Sequence, residues 1–221
     1  MELLNRYLDR LIAVVFEHEG AVDRIVGDAV TVRLAAPVCQ PDHAQRASDC
    51  ALAIDSAAVE FAAAIQRDGV PFGQTRIGVH TGEVIVGNFG GTRQLDYRAF
   101  GDPINTAARL ESANRFFGTR LAVSAATLAC CGHAEVRPIG ALLLKGKTEP
   151  IDTFTPVTPE QIRSGLAEHY RAAYRTLQQD AGAALAAFEA VAARFPTDAL
   201  TRFHVERLRG GLPDVVIRLD K

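Results

Sequence analysis

The 221-residue sequence predicts an α+β fold, a sheet packed against helices, with a smaller all-helical tail. Three observations carry this. Helical stripes alternate with short hairpin patterns in the order helix, hairpin, helix, hairpin, helix. A content of 48% hydrophobic residues fills one sizeable core plus a small appended unit. After Thr158-Pro159 the strand patterns stop and alanine-rich helical ones take over. The expected arrangement is helices on one face of a mostly antiparallel sheet over residues 1–157. Residues 158–221 are expected to form a separate helical unit, leaving 1–157 able to fold without it.

Taken in order, Met1–His18 reads as a helix, because Leu4, Leu8, Leu11, Ile12, Val15 and Phe16 make one apolar stripe that Gly20 ends. Ala21–Val26 and Ala29–Leu34 read as two strands around the tight-turn dipeptide Gly27-Asp28. Asp42–Arg67 is a second helix, with Ala47, Cys50, Ala51, Ile54, Ala58 and Phe61 inward. Arg76–His80 and Glu83–Asn88 are expected to form a hairpin over Thr81-Gly82. A strand near Tyr97–Phe100 precedes a helix from Asp102 to about Arg115. Leu121–Ser124 is a strand and Ala125–Cys131 a short helix. Glu135–Leu144 and Ile151–Val157 are a closing antiparallel pair. In the tail, Leu166, Tyr170, Ala173, Tyr174 and Leu177 form one stripe, and Ala184, Leu185, Phe188, Val191 and Phe195 another. Leu200, Phe203 and Leu208 suggest a third.

Composition excludes several classes. A net charge of −2 argues against a nucleic-acid partner. No apolar run reaches membrane-spanning length, and charged Glu2, Arg6, Asp9 and Arg10 do not suit a signal peptide. Cys39, Cys50, Cys130 and Cys131 contain no C-x-x-C pair, so reduced thiols in a cytoplasmic protein are expected and zinc is not.

The stretch Leu95–Ser112 holds the most chemistry. Asp102 followed by Pro103 reads as a helix start with a capping carboxylate. Asn105 and Arg109 are four apart and share a face. An amide and a guanidinium so placed can orient a sugar oxygen and hold a phosphate. An N-capped amphipathic helix with a solvated arginine accounts for the same residues. His80, inside a strand, reads as a packed, hydrogen-bonded histidine rather than a catalytic one.

Gly101–Glu111, G-D-P-I-N-T-A-A-R-L-E, resembles the G-D-x-V-N-x-A-A-R-L-E signature of class III nucleotide cyclases, the adenylate and guanylate cyclase family. Gly20–Leu34 resembles that family's metal-binding hairpin, Arg76–Gly90 its central hairpin and Leu144–Ile151 its closing hairpin. The four motifs stand in family order over about the first 157 residues. The resemblance implies a ferredoxin-like cyclase sandwich and conversion of ATP, favoured over GTP, to 3′,5′-cyclic AMP and pyrophosphate. It also implies a homodimer and a two-ion site holding Mg2+ or Mn2+. Asp28 matches a metal-binding aspartate. Asn105 and Arg109 match the transition-state pair that orients ribose and stabilises the pentavalent phosphorus. Lys145 matches the triphosphate-binding lysine, with Lys147 the second choice.

Departures from the family pattern set further expectations. Arg24 stands where adenylate cyclases read adenine with lysine, and Arg98 stands where they place a hydrogen-bond acceptor, which arginine cannot be. Two such guanidiniums need carboxylate neighbours, for which Asp23 and Asp96 are the candidates. The family's first strand, ending D-I-x-G-F-T and carrying the other metal aspartate, has no counterpart, so the domain is expected to be N-terminally incomplete and weak or inactive. The alternative is a degenerate, non-catalytic module that binds nucleotide or a partner. The tail pattern F-E-A-V-A-A-R-F-P-T-D resembles a tetratricopeptide-type helical hairpin, which must dock on the first domain or on a protein partner. A plain helical cap is the other reading.

Overall fold

A computed structural model describes residues 2–219. Helix α1 (Glu2–Glu17) leads into the hairpin β1 (Ala21–Val26) and β2 (Ala29–Arg33), then α2 (His43–Arg67) and β3 (Ile77–Val79). A second hairpin, β4 (Ile85–Gly91) and β5 (Gln94–Phe100), precedes α3 (Asp102–Phe117). Then come β6 (Leu121–Ser124), the single turn α4 (Ala125–Leu128), β7 (Val136–Leu143) and β8 (Ile151–Pro156). The tail holds α5 (Pro159–Arg163), α6 (Leu166–Gln179), α7 (Ala181–Arg194), α8 (Ala199–Arg209) and β9 (Val216–Arg218).

The main sheet runs β3-β6-β8-β7-β9, with the β3–β6 and β7–β9 pairs parallel and the two central pairs antiparallel. The hairpins β1–β2 and β4–β5 stand as separate two-stranded ribbons. The hairpin expected over Thr81-Gly82 does not form. β3 pairs with β6, and β4 folds back on β5 through the two-residue loop Thr92-Arg93. Gly82 instead lies against the ring of Pro103, where a Cβ would stand 2.6 Å from Cγ. Residues 80–84 therefore cover the start of α3 rather than making a tight turn.

Helices cover both faces of the sheet, not one. Ile77, Val79, Leu121 and Val123 pack with Ala47 and Ala51 of α2. Gly78 and Ala122, one residue out of phase, turn to the opposite face, where α3 lies. Strand β6 is consequently buried at every position, and L-A-V-S shows no polar alternation.

The tail docks on the α3 face. Leu110, Ala113 and Phe117 of α3 and Ile139 and Leu142 of β7 share one core with Tyr170, Phe188, Leu200 and Ile217. Strand β9 extends the sheet in parallel beside β7. A buried ion pair joins the two segments: Arg137 Nη1 lies 3.0 Å from Asp198 Oδ2, and Arg137 sits 4.8 Å from the Tyr170 ring centroid. Asp198 also caps α8 by accepting the Thr201 N–H at 3.0 Å. His204 is fully buried and stacks on Phe188 at 4.7 Å; burial, then the charge of Arg207, push it down to about 3. The tail's apolar stripes are thus spent inside the protein.

This packing leads to an outcome opposite to the one expected from the linker chemistry at Thr158-Pro159. Deleting the chain after Val157 exposes Leu110, Phe117, Ile139 and Leu142 and takes Asp198 and Tyr170 away from Arg137, and each large apolar side chain returned to water costs about 1.5–3 kcal/mol. The truncated chain is expected to lose its near-ultraviolet circular dichroism and its cooperative thermal transition. A truncated form that melts cooperatively near the wild-type midpoint would show the two segments to be independent.

Candidate active site

The site begins with how α3 is seated. Gly78 of β3 meets the α3 backbone so closely that a Cβ there would collide with the Ala107 carbonyl and the Glu111 amide. The fully buried Asn114 amide donates to Ile77 O at 2.9 Å and Leu110 O at 3.1 Å, and its Oδ1 accepts from Thr119 at 2.6 Å. The helix start differs from expectation. Gly101 is the N-cap and provides no side-chain cap hydrogen bond, and Asp102 is already inside the first turn. That carboxylate instead bonds Lys147 and accepts from Thr106 at 3.4 Å. The Lys147 hydrogen bond, with its charge, holds Asp102 below the usual carboxylate range.

The Asp102–Lys147 bond folds the K-G-K loop over the exposed end of α3. Gly146, at φ 74°, carries its backbone under the Arg109 guanidinium; a Cβ there would lie 3.5 Å from Nη2. One small surface therefore gathers Arg109, Lys147 and Asp102 near the first turn of α3. Asn105 is exposed on the same helix and Lys145 is exposed beside Gly146. His80 borders the cluster. Its Nδ1 bonds Ser124 Oγ at 2.8 Å, and burial, then Lys147, lower its pKa. It is a packed, hydrogen-bonded histidine.

The other predicted residues lie on the ribbons. Asp28 is exposed in the β1–β2 turn, and its charge contributes to raising the Tyr7 hydroxyl of α1, whose main cause is burial. Arg98 pairs with Asp96 at 2.6 Å, and Arg24 lies 3.6 Å from Asp23. The carboxylate neighbours expected for these guanidiniums are the ones found. Spacing alone did not reveal the Asp102–Lys147 bond, because 45 residues separate the partners.

A divalent ion such as Mg2+ binds through one or two carboxylates together with substrate phosphates. The β1–β2 turn offers one, Asp28, which suits a single ion. Among the described residues no group of three or more His, Cys, Asp or Glu gathers.

Residues 1–175 match the adenylate and guanylate cyclase catalytic domain family. The chain belongs to that family. The match runs beyond the closing hairpin into α6, the first long helix of the tail. Adenylate cyclase 1 of Rhizobium meliloti is 36% identical over 156 residues, covering 70% of this chain and 24% of that protein. An uncharacterised protein of Mycobacterium bovis is 32% identical over 171 residues, covering 75% of this chain and 28% of that one. The cyclase domain thus spans about a quarter of the length of these curated relatives. Among solved structures, the adenylyl cyclase CyaB from P. aeruginosa superposes with a TM-score of 0.65 at 27% identity, covering 71% of this chain and 81% of that one. The guanylyl cyclase Cya2 gives 0.61 at 29%, with 72% and 81% covered. No helix among the described residues is long and apolar enough to cross a membrane.

Because Asp102 competes with any polyanion for Lys147, Asp102→Asn is expected to tighten the binding of inorganic tripolyphosphate several-fold at low salt, an advantage screened away at high ionic strength. Titration calorimetry checks this. Weaker binding by the variant would mean that Asp102 holds Lys147 in its productive place instead of blocking it.

Proposed function

We propose that this domain is an adenylate cyclase-type catalytic unit that converts ATP to 3′,5′-cyclic AMP and pyrophosphate. The observation that carries the reading is the surface at the start of α3, where Lys147 is drawn against the first turn and Arg109 faces the glycine of the K-G-K loop. In the reaction the ribose 3′-oxygen attacks the α-phosphorus, its proton passes to water, and the bond from the α-phosphorus to the bridging oxygen breaks, releasing pyrophosphate. Asn105 orients the ribose. Arg109 meets the charge that grows on the phosphoryl oxygens, and Lys145 and Lys147 hold the departing pyrophosphate. A bound Mg2+ or Mn2+ ion supplies further charge neutralisation, and Asp28 is the residue that would hold it. Arg24 and Arg98 face the base.

Two half-sites from two copies make one centre in this reading. Asp28 sits on the β1–β2 turn, associated with α1, while Asn105 and Arg109 sit by the K-G-K loop. Exposed apolar side chains on the ribbons, among them Val26 at 64% and Ile85 at 73%, give such a homodimer surface to bury. The guanylate cyclase domain of RhGC from Catenaria anguillulae, 25% identical with a TM-score of 0.53, is solved in complex with GTP, which supports a nucleoside triphosphate as ligand. ATP is favoured here on the name of the Rhizobium relative. We place the protein in the cytoplasm.

With one carboxylate for two ions, turnover is expected to be slow, by on the order of a thousandfold relative to a full two-ion centre. Matching one of the family pattern's two metal aspartates also favours the second reading, a non-catalytic module that binds nucleotide or a partner.

The test measures cyclic nucleotide formation from ATP and from GTP with manganese, for the full chain and for Arg109→Ala. Slow cyclic AMP formation by the wild type is expected. Arg109→Ala should lower kcat by on the order of a hundredfold with a much smaller change in ATP affinity, because Arg109 acts on charge present in the transition state. ATP binding with no product from the wild type would establish the non-catalytic reading. Equal losses in both quantities would mean that Arg109 only holds ground-state phosphates.

A further inference from the structure

Asp23 has no role in the reading above except as a neighbour of Arg24, yet it is among the most elaborately held side chains on the ribbons. The β1–β2 ladder skips it. Val22 pairs with Val32 and Arg24 pairs with Thr31, so Asp23 is bulged out of register. The bulge turns its carboxylate inward, to 1% exposure. Oδ1 accepts from the Arg33 guanidinium and from the Ala99 backbone N–H, the latter at 2.9 Å. Oδ2 has no hydrogen-bond donor and lies 3.6 Å from Arg24 Nε, which is itself buried without a hydrogen bond. Arg33 in turn sits 5.2 Å from the Tyr97 ring centroid.

One buried carboxylate therefore serves two guanidiniums and one amide of the neighbouring ribbon. The amide belongs to Ala99, adjacent to Arg98, and the aromatic partner of Arg33 is Tyr97, on the other side of Arg98. Asp23 joins β1 to β5, which share no strand ladder, and the joint is next in sequence to Arg24 on β1 and, through Ala99, to Arg98 on β5. A buried charge left without its partners is costly, so the joint has one low-energy arrangement. An arginine whose Nε lies against a fixed carboxylate has its remaining donors aimed in a fixed direction.

We propose that Asp23 is a positioning residue for recognition of the nucleotide base: it is the shared counter-charge that sets Arg24 and, through Ala99 and Arg33–Tyr97, the strand segment bearing Arg98. This rests on the reading of Arg24 and Arg98 as base-facing residues. It assigns Asp23 no contact with the nucleotide. A purely structural aspartate would affect the melting temperature and nothing that depends on the base.

The experiment compares ATP with inorganic tripolyphosphate, which has no base, by titration calorimetry on the full chain. Asp23→Asn keeps an oxygen for the Ala99 amide and removes the charge. Asp23→Glu keeps the charge and displaces it by one methylene, and it carries the test if the asparagine variant does not fold. The expected result is a fall on the order of tenfold in the ratio of ATP to tripolyphosphate affinity, the scale of one lost charge-assisted contact. Tripolyphosphate affinity itself should stay at its wild-type value, and the fall should vanish in an Arg24→Met background. A folded variant that keeps the wild-type ratio overturns the role of Asp23 and leaves the nucleotide site standing. A wild-type chain that binds tripolyphosphate as well as ATP overturns the base-facing reading and the inference with it.

Discussion

The seating of α3 on β3 is the constraint from which the rest of this architecture follows. Gly78 removes the side chain that would hold helix and strand apart, and Asn114 ties the helix to the Ile77 carbonyl from beneath. A buried amide with its donors and acceptor satisfied has a single geometry, and losing either partner strands a polar group in the core. The first turn of α3 is then delivered to the surface at one height. There Asp102 can reach Lys147, and Gly146 can pass beneath Arg109. Chemistry that depends on aiming a guanidinium to within a fraction of an ångström needs this kind of foundation.

The far end of α3 has an equally specific neighbour. Phe117 meets Phe203 of α8 edge-on at 4.9 Å, and Leu110, Ala113 and Phe117 all belong to the core that the tail completes. The helical tail is in this sense the outer layer of the α3 face. Its docking also explains the burial of Arg137, a side chain of β7 that the sheet alone would leave wet, and of His204 on α8 itself. The relatives have more sequence beyond the same domain, and the family match takes in α5 and most of α6.

Most elements were legible in the sequence because their periodicity is strong. The bounds of α1, α2 and the β7–β8 pair lie within a residue or two of where the patterns put them, although Phe16 of the expected α1 stripe is 61% exposed and Tyr7 and Val14 are buried instead. The misreadings share one cause: partners distant in sequence. Thr81-Gly82 reads as a turn, but Pro103 claims Gly82, and β3 finds its partner 44 residues downstream. Asp102 reads as a cap, but Lys147 takes its carboxylate. The coverage of both sheet faces was written in the unbroken run Leu121–Ser124, which is too short to separate a doubly buried strand from other buried segments. In the candidate site, the motif positions came from family resemblance, whereas the two joints that orient them, Asp102–Lys147 and Asp23–Arg33–Ala99, are visible only in three dimensions.

The most direct measurement of the α3 constraint is the tripolyphosphate affinity of Gly78→Ala, determined below that variant's own melting midpoint. If the seating of α3 sets the site, the added methyl must lift the helix from β3. Stability should then fall, and affinity should fall with it by on the order of tenfold, since Arg109 and Lys147 no longer converge. A variant that melts and binds like the wild type would contradict the account, because it would show that α3 tolerates displacement without consequence for the surface it carries.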